Sequence, residues 1–262
     1  MELNREEALK EVYRRISGRK FFRWEPYRWQ QQFLDATLDN EELMMRAANR
    51  VGKTATAAYL ATCWATGKYP EGWQGKRYRK STLGWVVSIT NETSRDICQK
   101  ELLGDPVGTG LIPADDIRKV SYRQAGVSNV VDMVRIKHKT GESQIMFKTA
   151  EQTWRKFQGT APDWIWIDEE PDDFRIYTEC LTRIITSKGR LFVTFTPLLG
   201  ETDLVRHFED GKKGTYVQTA TWDDAKHLSE EDKSRFISSY PEYERDARTR
   251  GVPMMGEGRA FP

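Results

Sequence analysis

One stretch limits what this chain can fold into: Arg46-Ala47-Ala48-Asn49-Arg50-Val51-Gly52-Lys53-Thr54. A short apolar run, Leu43-Met44-Met45, precedes it, and Ala55-Thr56-Ala57-Ala58-Tyr59-Leu60-Ala61-Thr62, rich in helix formers, follows. The order is strand, tight loop, helix, the setting a phosphate-binding loop needs. Gly52 lets the backbone approach phosphate oxygens, Lys53 reaches the β- and γ-phosphates, and the Thr54 hydroxyl suits Mg²⁺. The free N–H groups of the new helix complete an anion site. One position departs from the usual G-x-x-x-x-G-K-[ST] pattern, because Ala47 stands where the first glycine belongs. Gly-Lys-Thr alone therefore also fits an ordinary helix start.

A second motif narrows the reading. Trp164-Ile165-Trp166-Ile167-Asp168-Glu169-Glu170 has the pattern of a buried strand ending in acids. Nucleotide hydrolysis by a phosphate loop needs a carboxylate beside the cation and a base or orienter for the attacking water. Asp168, at the strand end, fits the first role, and Glu169 the second. The pair of motifs, in this order, implies an Mg²⁺-dependent ATP hydrolase, with Lys53 neutralising phosphate charge and Thr54 and Asp168 holding the metal.

Further candidates lie around these two. Ahead of the loop, Trp24, Tyr27 and Gln30 could form an adenine pocket: a ring to stack on the base and an amide to pair with its edge. Arg46, Arg50 and Arg155 are candidates for an arginine placed against the γ-phosphate, in cis or from a neighbouring subunit. Arg190 to Pro197 reads as a buried strand ending in hydroxyls, of which Thr196, with Thr194 behind it, is placed to sense the γ-phosphate. Residues 67–82 mix Lys68, Lys76, Arg77, Arg79 and Lys80 with Tyr69, Trp73 and Tyr78. That composition fits either a solvated loop or a contact to a phosphate backbone.

Composition sets outer bounds. The chain has 262 residues, 38% of them apolar and 31% charged, and a net charge of +2. That is enough for a real core, and a local basic patch could still contact DNA. Cys63, Cys98 and Cys180 are too few and too spread for a disulfide framework, and His138, His207 and His227 lack metal-ligand spacing. No apolar run is long enough to span a membrane, and the first residues have no signal-peptide character. Residues 4–16 are expected to form an amphipathic helix. Residues 132–149 are expected to form a β-hairpin around Lys139-Thr140-Gly141-Glu142.

Taken together, Pro26-Tyr27-Arg28-Trp29-Gln30, the 46–54 loop, Phe157-Gln158-Gly159, Trp166 to Glu170 and Thr194-Phe195-Thr196-Pro197 resemble the ATPase domain of the large terminase subunit of tailed bacteriophages. A missing first glycine is common in that family. The resemblance implies an α/β fold of the P-loop NTPase (RecA/ASCE-like) kind: a mainly parallel sheet sandwiched by helices, with a small C-terminal helical linker region. It implies an ATPase domain at 1–222, a linker at 223–262, and an RNase H-like nuclease domain expected to start after Pro262, so no nuclease activity is assigned to this chain. It further implies ATP and Mg²⁺, translocation of double-stranded DNA into a procapsid, and work as a homo-oligomeric ring with a portal protein and a small terminase subunit in the host cytoplasm, with no membrane partner. Two other readings fit parts of the chain: a helicase-type ATPase, and a nucleotide-binding switch that hydrolyses poorly.

Overall fold

Strands buried on both faces are written as unbroken apolar runs, because neither face meets water. Four such runs form the centre of the sheet. They are β1 (Glu42–Ala47), β2 (Leu83–Ser88), β6 (Trp164–Asp168) and β7 (Arg190–Phe195). The computed structural model describes Val12, residues 20–124 and residues 126–253. The expected helix at 4–16 and the last stretch of the linker lie outside the described residues.

Among the described residues eight strands form one sheet in the order β3-β4-β5-β2-β6-β7-β1-β8. From β5 to β8 (Thr215–Ala220) every neighbouring pair is parallel. The hairpin β4 (Val131–His138) and β5 (Gly141–Thr149) extends one side, and β4 runs antiparallel to β5. Beyond it lies β3 (Ile117–Tyr122), antiparallel to β4.

Side chains alternate between two cores. Leu43, Met45, Trp164, Trp166 and Phe192 face α1 (Arg28–Ala36), α2 (Lys53–Thr66) and the helical segment at 91–103. Met44, Ile165, Ile167, Leu191 and Val193 face α4 (Phe174–Ser187) and α5 (Asp203–Glu209). The segment at 91–103, here α3, is α-helical at both ends and π-helical at Ser94–Gln99. Each buried ring or branched chain in these layers contributes roughly 1.5–3 kcal/mol. At Gly84, opposite Trp164 in the register, an added Cβ would sit 2.0 Å from the indole, so the strand is written around that ring.

The basic loop at 67–82 belongs to the structure. Tyr78 donates to the Asp163 carbonyl, Trp73 to that of Gly75, Arg77 lies over Tyr69, and Lys68 pairs with Asp116. It also leads into the start of β2, the opposite sheet edge from the 46–54 loop. After β8 come α6 (Glu230–Ser239) and α7 (Arg245–Arg250). No helix among the described residues is long and apolar enough to cross a membrane.

Candidate functional site

Parallel pairing brings the C-terminal ends of β1, β6 and β7 together: Arg46 lies beside Phe195, and Asp168 beside Thr194. The 46–54 loop, the acids and Thr196 therefore meet at one sheet edge. Lys53 opens α2, and its side chain is buried. Its ammonium donates to the Ala48 carbonyl at 2.8 Å, the Ala47 carbonyl at 3.2 Å and the Thr196 hydroxyl at 2.8 Å. Thr196 in turn donates to Asn49 Oδ1 at 2.7 Å. Burial pulls the Lys53 pKa down, and the negative charges of Glu169 and Asp168 oppose that shift.

Asp168 is oriented through both oxygens. Thr194 donates to Oδ1 at 2.8 Å and itself accepts from the Trp166 indole at 2.9 Å. The Cys98 thiol donates to Oδ2 at 3.4 Å. The nearby Thr54 hydroxyl also favours the ionised form of this carboxylate. Burial raises the Asp168 pKa, and these donors and Lys53 counteract it.

Glu169 adopts a left-handed backbone, φ 66°. For a residue with a Cβ this conformation is unfavourable and survives only where the surroundings fix it. Here the Glu169 amide donates to the Thr194 carbonyl at 2.7 Å, and its carboxylate accepts from the Thr196 amide at 3.3 Å. Burial, then the Asp168 charge, pushes its pKa up to about 7, with Lys53 pulling the other way. For Glu170, burial followed by the charges of Asp172 and Asp203 raises the pKa, and the Thr202 hydroxyl counteracts it. Of the two glutamates, Glu169 is the one coupled to Lys53 and Asp168.

The loop is shaped from outside as well as from within. Gly52 has φ 101°, and a Cβ there would lie 2.9 Å from Gln30 Nε2. Gln30 accepts from the Tyr27 amide at 2.8 Å and donates to the Gly52 carbonyl at 3.4 Å, so both ends of its amide are engaged with backbone. Arg50 is left-handed too, at φ 62°. Its carbonyl is bonded by His227 at 2.8 Å, and its guanidinium lies 4.4 Å from the Phe236 ring centre. The Asn49 amide donates to the Arg248 carbonyl at 2.8 Å, and the Asn49 carbonyl accepts from the Trp222 indole at 2.9 Å. His227 also meets the Tyr27 hydroxyl at 2.9 Å. Residues 222–251 thus grip the loop, and sequence reasoning missed Trp222, His227 and Phe236 because their partners are mostly backbone atoms 170 or more positions away.

The other candidates are dispersed. Ala47, Ala48 and Val51 are buried in the core. Trp24 stacks on Tyr59 with ring centres 4.1 Å apart. Arg46 is committed to Glu209 at 2.7 Å. Arg155 is exposed, lies over Trp154, and lines a cleft of about 410 Å³ with Asp173 and Arg175.

This donor set fits a nucleotide with a hard cation. A buried ammonium is held by oxygens alone, and α2 begins without a capping side chain to occupy its first-turn N–H groups. Thr54 and Asp168 offer adjacent oxygens, which suits Mg²⁺. Among the described residues no group of three or more His, Cys, Asp or Glu could hold a metal by itself. A cation here would therefore need phosphate and water oxygens to complete its shell, as Mg²⁺ in nucleotide sites does.

Comparison with known proteins agrees with this geometry. The family model described as terminase large subunit, T4likevirus-type, N-terminal, matches residues 44–262. The large terminase subunit of Salmonella phage P22 is 37% identical over 282 aligned positions, covering 97% of this chain and 56% of that protein. The chain thus spans about half the length of this curated relative. Among solved structures, the large terminase ATPase domain of Thermus phage P74-26 aligns with a TM-score of 0.67 at 14% identity, over 90% of this chain and 97% of that one. The large terminase of the thermophilic bacteriophage D6E in complex with ADP aligns with a TM-score of 0.67 at 15% identity, over 88% of this chain and 53% of that one. The fold is therefore that of the terminase ATPase domains. The match over residues 44–262, with the P22 relative behind it, establishes that the chain belongs to the terminase large-subunit family and corresponds to its N-terminal part.

Proposed function

We propose that this chain is the ATPase motor domain of a viral DNA-packaging terminase, hydrolysing ATP to ADP and phosphate to drive double-stranded DNA into a procapsid. The observation that carries the reading is the junction of Lys53, Asp168, Glu169 and Thr196 at one sheet edge, with the Glu169 pKa at about 7. The ADP-bound D6E relative supports it. In this reading the γ-phosphate oxygens replace the loop carbonyls and Thr196 as acceptors for the Lys53 ammonium. The N–H groups at the start of α2 add to that charge stabilisation. Thr54 and Asp168 would hold Mg²⁺, which screens phosphate charge when bound.

Glu169 orients a water and accepts its proton as the water oxygen bonds to the γ-phosphorus and the bond to the ADP oxygen breaks. When phosphate leaves, the Thr196 hydroxyl regains Lys53, which gives the strand end two states. Arg155, exposed and in no ion pair among the described residues, is a candidate to act on a neighbouring subunit's nucleotide in a homo-oligomeric ring. Arg50 is the candidate in cis. Residues 223–262 are read as the linker from the 1–222 ATPase domain to the nuclease domain of the family. The portal protein, the small terminase subunit and the host cytoplasm complete the proposed setting.

The test is single-turnover ATP hydrolysis by the chain and by Glu169→Ala, with Mg²⁺ and with a chelator. The expected result is Mg²⁺-dependent turnover that falls by about 10²–10⁴-fold in the variant, with nucleotide binding retained. Binding without turnover in both proteins, even at high concentration with DNA and portal, would instead favour a nucleotide-binding switch.

A further inference from the structure

The contact of Cys98 with Asp168 has no place in the sequence motifs. Cys98 is fully buried on the π-helical stretch of α3. π-Helical turns are rare and are frequently found at functional sites. This one is fixed by Gln99, whose side-chain amide accepts from the Val131 amide at 2.9 Å and donates to the Val131 carbonyl at 2.9 Å. The same amide reaches Ser94 Oγ at 3.1 Å, across the π-turn. Gln99 thereby pairs with the first residue of β4 much as a strand would, and Cys98, one residue earlier, is delivered to the ends of β2 and β6. There the Ser88 hydroxyl donates to its sulfur at 3.3 Å, and the thiol faces Asp168 Oδ2 at 3.4 Å. Two relays thus meet on one carboxylate: Trp166 through Thr194 on Oδ1, and Ser88 through Cys98 on Oδ2.

We propose that Cys98 is a positioning residue for Asp168: its S–H, backed by Ser88, fixes the rotation of the carboxylate and keeps it turned to Thr54. This rests on the ATPase reading above. A carboxylate has about four lone-pair sites, so two donors hold it without exhausting it. A thiol is a weak donor, which orients the oxygen while withdrawing little of the charge a cation needs.

The experiment compares the chain with Cys98→Ala, which removes the donor, and Cys98→Ser, which keeps one. ADP affinity is measured by calorimetry with Mg²⁺ and with chelator, alongside kcat and KM for ATP and melting without nucleotide. In chelator all three proteins should bind ADP alike. The affinity gained from Mg²⁺, and kcat, should fall about tenfold in Cys98→Ala and stay within about threefold in Cys98→Ser. Should Cys98→Ala melt too low to assay, Cys98→Val fills the volume without a donor and takes its place. Equal losses in the serine and donor-less variants would reduce Cys98 to packing and overturn the proposal, as would an unchanged Cys98→Ala. A wild-type chain that gains no affinity from Mg²⁺ and turns over no ATP would instead overturn the ATPase reading, and this assignment with it.

Discussion

Glu169 shows how much one residue's surroundings decide. A free glutamate titrates near 4.5, but burial and Asp168 hold this one at about 7. As a base it works only when ionised, so kcat/KM for ATP should rise with pH and level off above a midpoint of about 7. A profile flat between pH 5.5 and 8.5 would exclude Glu169 as the base. Stability runs the other way. Because the folded pKa is raised, the fold favours the protonated form. That contribution is complete below pH 4.5 and is lost as pH climbs through about 7. Melting curves should therefore show Glu169→Gln gaining on wild type between pH 5 and 8, by an amount on the order of 2 kcal/mol. Lys53, Thr54, Asp168, Glu169 and Thr196 were legible in the sequence because each sits where a strand ends or a helix starts, beside an apolar run that marks the place. Cys98 and His227 carried no such mark: one depends on a π-turn, and the other on a carbonyl of Arg50.

At the scale of elements, the central strands were legible for a simple reason. Burial on both faces leaves no polar alternation to confuse, and β1, β2, β6 and β7 read as apolar runs. Strand β3 was not legible, because Ile117-Arg118-Lys119-Val120-Ser121-Tyr122 forms an edge with four partly or fully exposed charged or polar-tipped positions. Nor was the grip on the phosphate loop, which runs through the carbonyls of Asn49, Arg50 and Arg248 and so leaves side-chain patterns unconstrained. Gly84 gives the sharpest test at this scale. Its missing Cβ is the space for Trp164, and both lie in central strands that cannot shift freely. Gly84→Ala should cost about 3 kcal/mol or more, read as a drop in the denaturant midpoint. A loss below about 1 kcal/mol would mean that the indole can move aside.

Across the whole molecule, the phosphate loop is as much a product of residues 222–251 as of its own sequence. Gly251, at φ 67°, fits against Ala47, where a Cβ would come within 2.8 Å of the Ala47 Cα. Cutting the chain before Trp222 leaves all eight strands but removes every one of these supports. The shortened protein should keep much of its β-sheet signal by circular dichroism and lose ADP binding by about tenfold or more. Undiminished binding would show that the loop holds its shape alone. The strand order has a consequence of another kind, in time. β1 leaves the ribosome well before both of its neighbours, β7 and β8. At about 5–20 residues per second, roughly 7–30 s pass between the synthesis of β1 and that of β7. For that interval Leu43-Met44-Met45 is apolar on both faces and has no strand partner, and the nascent chain needs a chaperone or its own early helices to keep that strand from finding the wrong one.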